Sequence, residues 1–348
     1  MSRSFVEGPR LHTIHGSVRA RRLKSQYGGS APVIDLGPRL LGEPVPEEAP
    51  DGFDFGELTR DRVRQMTYGL AWEGRWRGVG EASLGIQKTD YRKMIALPAG
   101  IPATSTRDKP WLFNASAAAH LASSVALYAG YTRGLEESGI APNNAANRNE
   151  ALPAIRTRQA DAGVRWAVNG RMTLVAGAFD VRKPYFNTDE ANRFVVLGDV
   201  RHRGLEFSLA GKPTDSLSLV AGAVLMRPRV TGDAVELGRI GKKPLNQSAR
   251  ILRGNVEYRP TLLPDLSFDA AVSHYGERAA SRDNVVILPA YTLVDLGVRY
   301  RFKIGRSPAT LRLQLQNVGN TFYYDIDGSN TYGLTDTRRA SLYIAADF

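Results

Sequence analysis

The 348-residue sequence contains no cysteine, which removes disulfide scaffolds, thiolate metal sites and cysteine nucleophiles together. It also lacks the run of about 18 charge-free apolar residues that a membrane-spanning helix needs. The nearest candidate, "LFNASAAAHLASSVALYAGY" (112–131), carries Asn, His and several Ser, and breaks at Ala122-Ser123 into two alternating pieces of strand length. Helical periodicity is nearly absent. The first residues, "MSRSFVEGPRLHTIHGSVRARRLK", have no apolar stretch of signal-peptide type.

Catalytic motifs are missing as well. His12, His15, His120, His202 and His274 form no acid-base or metal pattern, and His12 and His15, three apart on a strand, point to opposite sides. "GYTRGLEESG" and "GRIGKKP" are rich in Gly but lack the spacing of a phosphate loop, and no Gly-x-Ser-x-Gly elbow occurs. No metal site, cofactor or enzyme activity is expected. The net charge of +11 calls for an anionic partner, yet the basic residues are scattered singly and only "RARRLK" and "GKK" form short runs. That spread argues against nucleic acid, which clusters cations along a groove.

What the sequence has in quantity is alternation. In "LRLQLQNVGN", Leu311, Leu313 and Leu315 fall on one side of an extended strand, and Arg312, Gln314 and Gln316 on the other. Met66, Tyr68, Leu70, Trp72 and Trp76 repeat the pattern against Gln65, Thr67, Glu73 and Arg75. Such segments predict about fourteen strands, near 10–24, 60–76, 78–92, 111–120, 123–133, 155–169, 172–184, 193–211, 217–229, 246–259, 265–277, 289–304, 309–317 and 338–348. Short turns are expected at Arg77, Ala122, Gly170, Pro213, Pro260 and Gly305. Long polar connections fill 25–59, 93–110, 134–154, 185–192, 230–245, 278–288 and 318–337. Short turns at one end and long loops at the other are the habit of an antiparallel transmembrane β-barrel, not of a sandwich. The expected fold class is therefore all-β, with the leucines of "LRLQLQ" facing lipid and its polar residues facing the lumen. Tyr68, Trp72, Trp76, Trp111, Tyr131, Trp166, Tyr258, Tyr291 and Tyr300 are expected near strand ends, as in interfacial girdles.

Four stretches resemble the C-terminal part of the barrel of TonB-dependent receptors, in the ferric-siderophore branch. They are "YAGYTRGLEESGIAPNNAANRNEALPAIRTRQADAGVRW" (128–166), "GDVRHRGLEFSL" (198–209), "LQNVGNTFYYDIDG" (315–328) and the terminal "ASLYIAADF". Asp161, Gly319 and "TDTRRA" depart from the family's usual residues. The resemblance implies one domain, 1–348, forming the C-terminal portion of a 22-stranded barrel. It implies no plug domain, and an incomplete or open arc. It further implies outer-membrane uptake of a ferric siderophore, coupled to the TonB complex through the absent plug, with the fragment inactive alone. Outer-membrane lipid, lipopolysaccharide and the barrel-assembly machinery are the other expected partners. The alternative is a passive porin-like barrel or a barrel enzyme. Leu342, Ile344, Ala346 and Phe348 resemble the family's assembly signal. Ligand contact is expected from Arg133, Arg148, Tyr185, Phe186, Arg193, Arg239, Lys242, Lys243, Tyr323, Tyr324 and Tyr332, because aromatic faces pack a chelate and cations offset its charge.

Overall fold

The computed structural model describes residues 1–30, 52, 54–97, 102–142, 144–328, 331–335 and 337–347. Its strands, in chain order, begin with β1 (Ser2–Glu7), β2 (Arg10–Ser30), β3 (Asp54–Trp76), β4 (Gly80–Ala96), β5 (Thr104–Asp108), β6 (Trp111–Ala122) and β7 (Val125–Glu136). There follow β8 (Ile155–Val168), β9 (Met172–Thr188), β10 (Phe194–Thr214), β11 (Leu217–Thr231), a single helical turn α1 (Asp233–Glu236), β12 (Arg250–Tyr258) and β13 (Leu266–Tyr275). The last are β14 (Arg278–Ala279), β15 (Ile287–Leu288), β16 (Tyr291–Ile304), β17 (Ser307–Gln316), β18 (Tyr324–Gly328), β19 (Thr331–Leu334) and β20 (Arg339–Ala346).

One 16-stranded sheet runs β1-β2-β3-β4-β6 through β13, then β16-β17-β20, with β5 added to the loop-side part of β4. Every pairing in it is antiparallel, and strands adjacent in the sheet follow one another along the chain apart from the short strands β5, β14-β15 and β18-β19 that stand in the intervening connections. Among the described residues β1 and β20 do not pair with each other, so the sheet is open. Two small hairpins, β14-β15 and β18-β19, stand in the loops.

The strand count is higher than the expected fourteen for definite reasons. β1 folds back on β2 ahead of the expected 10–24 strand, and β5 forms inside the expected 93–110 loop. The expected 185–192 loop is another correction: β9 extends into it as far as Thr188, which pairs with Phe194 at the start of β10. The remaining alternation of short turns and long connections stands. The β8-β9 turn shows why it is tight, since Asn169 (φ 46°) and Gly170 (φ 68°) both take positive φ between the paired Val168 and Met172.

The register sorts the faces. Ile14, Trp72, Leu84, Ala115 and Tyr131 form one row, and Val298, Leu313 and Leu342 another, all on the apolar face. These side chains are not covered by protein: Leu70 is 58% exposed, Leu84 54% and Ile344 66%. In water each would forgo about 1.5–3 kcal/mol of burial, so this face belongs against hydrocarbon. Near the turn end it carries Phe5, His12, Trp72 and Trp76 in ring contact, with His12 and Trp72 centroids 5.8 Å apart. Burial is concentrated on the opposite, polar face at the loop end. There Val63, Tyr91 and Ile95 are covered, and Val200, Val230 and Ile240 pack together under α1 with Tyr185.

Leu342, Ile344 and Ala346 lie on the apolar face opposite Leu313, Leu311 and Ala309. Phe348, and the side chain of Tyr332, lie outside the described residues.

Candidate functional site

Loops from four successive loop-end connections meet over the polar face and enclose a cleft of about 540 Å³. Asn187, Thr188, Asp189, Glu190 and Asn192 from the β9-β10 connection form one wall, with Asn144 beside them. Arg239 and Leu245 form a second wall, and Ser281, Arg282 and Asp283 a third. Long-range bonds fix the arrangement. Arg282 Nη1 donates to the Thr188 carbonyl (2.7 Å), Asn192 Nδ2 to the Asn144 carbonyl (2.9 Å), and Arg239 Nε lies 3.3 Å from Glu190 Oε1. On the third wall, the Ser281 hydroxyl and the Val285 amide hold the Asp283 carboxyl below its usual range. Under the cleft, Asn187 Nδ2 donates to the Tyr185 hydroxyl (2.9 Å), and burial raises that phenol's pKa.

The lining is polar and close to charge-balanced. Three carboxylates (Asp189, Glu190, Asp283) face two guanidiniums (Arg239, Arg282), and each guanidinium already has an acceptor. Such a cleft offers hydrogen bonds in many directions and no concentrated positive field.

A second cluster stands at the loop ends of β13 and β16. Tyr275 stacks on Tyr291 (5.1 Å), and Tyr291 on Tyr323 (3.9 Å, 8° between planes). Arg278 lies over the Tyr291 ring at 5.2 Å and donates to the Tyr324 carbonyl (2.7 Å) and Asn246 Oδ1 (2.9 Å). Its side chain is 6% exposed, and it ties the β18-β19 hairpin to the sheet. Burial pushes the Tyr291 phenol up to about 12.

The expected ligand residues divide among these places. Arg239 lines the cleft, Tyr185 lies beneath it, and Arg193 sits beside its first wall, with its amide on Asp189 Oδ1 (2.8 Å) and its guanidinium 3.4 Å from Glu150. Lys243 lies at the third wall through its amide's bond to Asn284 Oδ1 (2.6 Å), while its ammonium is 3.4 Å from Glu277. Lys242 is exposed next to it, and Arg148 is exposed on the 137–154 loop. Phe186 stacks on Phe194 at 6.2 Å. Tyr323 and Tyr324 belong to the tyrosine cluster. Arg133 is elsewhere: it stands in β7 opposite Phe113 and Arg158, on the apolar side of the sheet. Sequence reasoning did not single out Arg282, Asn187, Asp189, Glu190 or Asp283. Tyr291, expected in an interfacial girdle, stands instead in the polar-face stack, because it shares parity with Asp295 rather than with Val294.

The sequence pattern described as "TonB dependent receptor-like, beta-barrel" matches residues 21–318. The chain is 27% identical over 232 residues to the ferrichrome receptor FcuA of Yersinia enterocolitica, covering 64% of this chain and 30% of that protein. It is 24% identical over 317 residues to the ferrioxamine B receptor of Salmonella typhimurium, covering 88% and 43%. The solved structure of the ferric preacinetobactin receptor BauA of Acinetobacter baumannii superposes with a TM-score of 0.77 at 20% identity, over 100% of this chain and 53% of that one. The chain thus spans less than half the length of these two curated relatives.

Proposed function

From the premise that the chain belongs to the TonB-dependent receptor β-barrel family, we propose that it forms the wall and loop cage of an outer-membrane receptor for a ferric siderophore. The family is one of receptors, not enzymes. The observation that carries the reading is the loop-end cleft, built from four connections on the polar side of a sheet whose other face is apolar and uncovered. A barrel that only lets solutes diffuse needs no such convergence of loops.

The near-balanced lining refines the class of cargo. A strongly anionic tris-catecholate would leave Asp189, Glu190 and Asp283 opposing it, whereas a neutral or weakly cationic hydroxamate chelate can use both the acceptors and the donors. The names of two relatives, receptors for ferrichrome and ferrioxamine B, agree with that class. In the whole receptor, coupling to TonB and passage of the cargo would belong to a plug domain.

The test is equilibrium binding of ferrioxamine B, ferrichrome and a ferric tris-catecholate to residues 1–348 in detergent micelles. Both hydroxamates are expected to bind more tightly than the catecholate, and Arg282→Ala, which frees the first wall, to weaken them about tenfold or more. Binding of none of the three, or binding indifferent to Arg282→Ala and Asp189→Asn together, would overturn the proposal.

A further inference from the structure

Tyr275, Tyr291 and Tyr323 form a ladder of rings on the polar face at the loop end. Tyr275 and Tyr291 stand directly opposite each other on β13 and β16, with centroids 5.1 Å apart and planes 20° apart. Tyr291 and Tyr323 are closer, at 3.9 Å and 8°. Stacked aromatic pairs usually keep their centroids about 4.5–7 Å apart, so the second contact is a tight one. Among the described residues no other two tyrosines are in ring contact.

Arginines hold the ladder in place. The Arg253 guanidinium donates to the Tyr275 hydroxyl and lies 5.5 Å from that ring, and Arg278 lies 5.2 Å from the Tyr291 ring. Arg278 also fixes Tyr324, the residue after Tyr323, by donating to its carbonyl (2.7 Å). Two segments are thereby pressed together: β16, which belongs to the 16-stranded sheet, and the 317–338 connection, which does not.

We propose that Tyr291 and Tyr323 are a site of oxidative coupling, where a one-electron oxidant joins the two rings covalently and staples the 317–338 connection to the sheet. Each phenol gives one electron to the oxidant, such as a hydroxyl radical released from peroxide by iron, and one proton to water. The two phenoxyl radicals join through ring carbons ortho to oxygen, and the hydrogens on those carbons shift to the oxygens and restore both rings. Two phenols thus become one biphenol, with two electrons and two protons lost. Nearly parallel rings already set carbons of one against carbons of the other, so coupling needs a short slide and no change of backbone path.

The Tyr275–Tyr291 contact is less suited. It is set by the pairing of β13 with β16, and adjacent strands stay about 4.7–4.9 Å apart, so these rings cannot close further without breaking the ladder. Tyr275 is placed instead to pass oxidation on to Tyr291. The coupling depends only on the ring stack and stands apart from cargo binding. Its consequence lies near the cleft, because Asn246, which Arg278 also binds (2.9 Å), follows Leu245 of the cleft lining. Arg278 ties the connection reversibly, whereas a carbon–carbon bond ties it for good.

The test exposes residues 1–348 in micelles of uncharged detergent to a light flash with tris(bipyridine)ruthenium and persulfate, which generate a one-electron oxidant. Coupled tyrosine is read by its blue fluorescence and located by tryptic mapping, in which Tyr291 lies in the peptide 283–299 and Tyr323 in 313–338. The expected product is these two peptides joined, two hydrogens lighter than their sum, with fragmentation placing the bond at Tyr323 and not at Tyr324 or Tyr332. Tyr291→Phe and Tyr323→Phe, which keep the ring and lose the hydroxyl, should each lose the product, and Tyr332→Phe should keep it. Denaturant added before the flash should remove the preference for this pair. A mixture of ordinary and nitrogen-15 chains should give no mixed product, because the bond forms within one chain. Hydrogen exchange of residues 317–328 should slow once the bond is made.

Coupling spread over many tyrosines, a product that survives Tyr323→Phe, or a mixed-isotope product at this pair would overturn the inference. So would coupling that leaves exchange in 317–328 unchanged, since the bond would then staple nothing.

Discussion

Lys93 shows how single side chains hold the loop cage down. Its ammonium is 3.1 Å from Asp61 Oδ2, 3.5 Å from Glu137 Oε1 and 3.0 Å from the Ser138 carbonyl, and its side chain is only 4% exposed. Beside it the Tyr91 hydroxyl and Ser138 Oγ are 3.1 Å apart. The 137–154 connection is thus pinned to β3 and β4 by one buried cation. Removing one partner of such a group leaves the other buried and uncompensated, at a cost of about 3–5 kcal/mol. Lys93→Met is expected to lower the melting temperature and to strip hydrogen-exchange protection from residues 137–142. Lys93→Met with Asp61→Asn should cost less than Lys93→Met alone; an equal or larger loss would show that the pair is not the anchor.

A second residue-scale contact sets a pH limit. Arg156 Nε donates to Asp108 Oδ2 at 2.8 Å, and this bond from Arg156 holds the Asp108 carboxyl below its usual range. A depressed carboxylate contributes stability that is fully present above its unfolded pKa of about 3.9, and that stability is lost as pH falls through the lower folded value. β5 should therefore stay attached to the start of β8 at pH 4 and detach only in stronger acid. Fluorescence of Trp111, three residues beyond Asp108, would report the step, and Asp108→Asn should abolish it. At this scale the sequence was only partly legible. Parity alone puts Tyr291 on the side of Asp295, yet its aromatic character suggested a girdle. Arg282 reaches Thr188 across 94 positions, a contact that no local period can announce.

Among the elements, strands read well because their signal is local. The alternation of Leu311, Leu313 and Leu315 assigned their face correctly, and the register with Ile344, Leu342 and Ala340 confirms it. β5 and the loop-side end of β9 read poorly, since beyond the apolar band both faces are polar and the period of two loses its contrast. The strands also depend on small residues where a ring crosses them. Tyr128 lies over Gly163 and Gly177, and a Cβ on Gly163 would come within 2.4 Å of the Ala176 carbonyl and 2.6 Å of the Tyr128 hydroxyl. The carbonyl is backbone and cannot swing away. Gly163→Ala should thus force β8 from β9, costing about 1–3 kcal/mol as overpacking does. Tyr128→Ala should rescue little of it; full rescue would show that the ring, not the backbone, sets the limit.

At the scale of the whole molecule, the open sheet leaves β1 and β20 with outer edges that no described residue pairs. β20 is the more exposed hazard, because Leu342 (63%) and Ile344 (66%) add an apolar face to a row of free backbone donors and acceptors. Such an edge templates pairing with another strand, and inside hydrocarbon an unpaired amide is costlier still because no water can satisfy it. Residues 1–348 purified by themselves in detergent should therefore associate edge to edge, giving a mass by light scattering at least twice that of the chain. Proline at Ser341 and Tyr343 would disable β20 as a donor, at the risk of loosening its pairing with β17. An arginine at Leu342 instead keeps the strand and opposes association only through charge. If edge pairing drives association, the proline variant should be monomeric and the arginine variant should still associate. If apolar contact drives it, the arginine variant alone should suffice to give monomers. A wild-type chain that is monomeric at micromolar concentration would mean that β1 and β20 find each other and close the sheet, a pairing that circular dichroism and β1-β20 cross-linking would then detect.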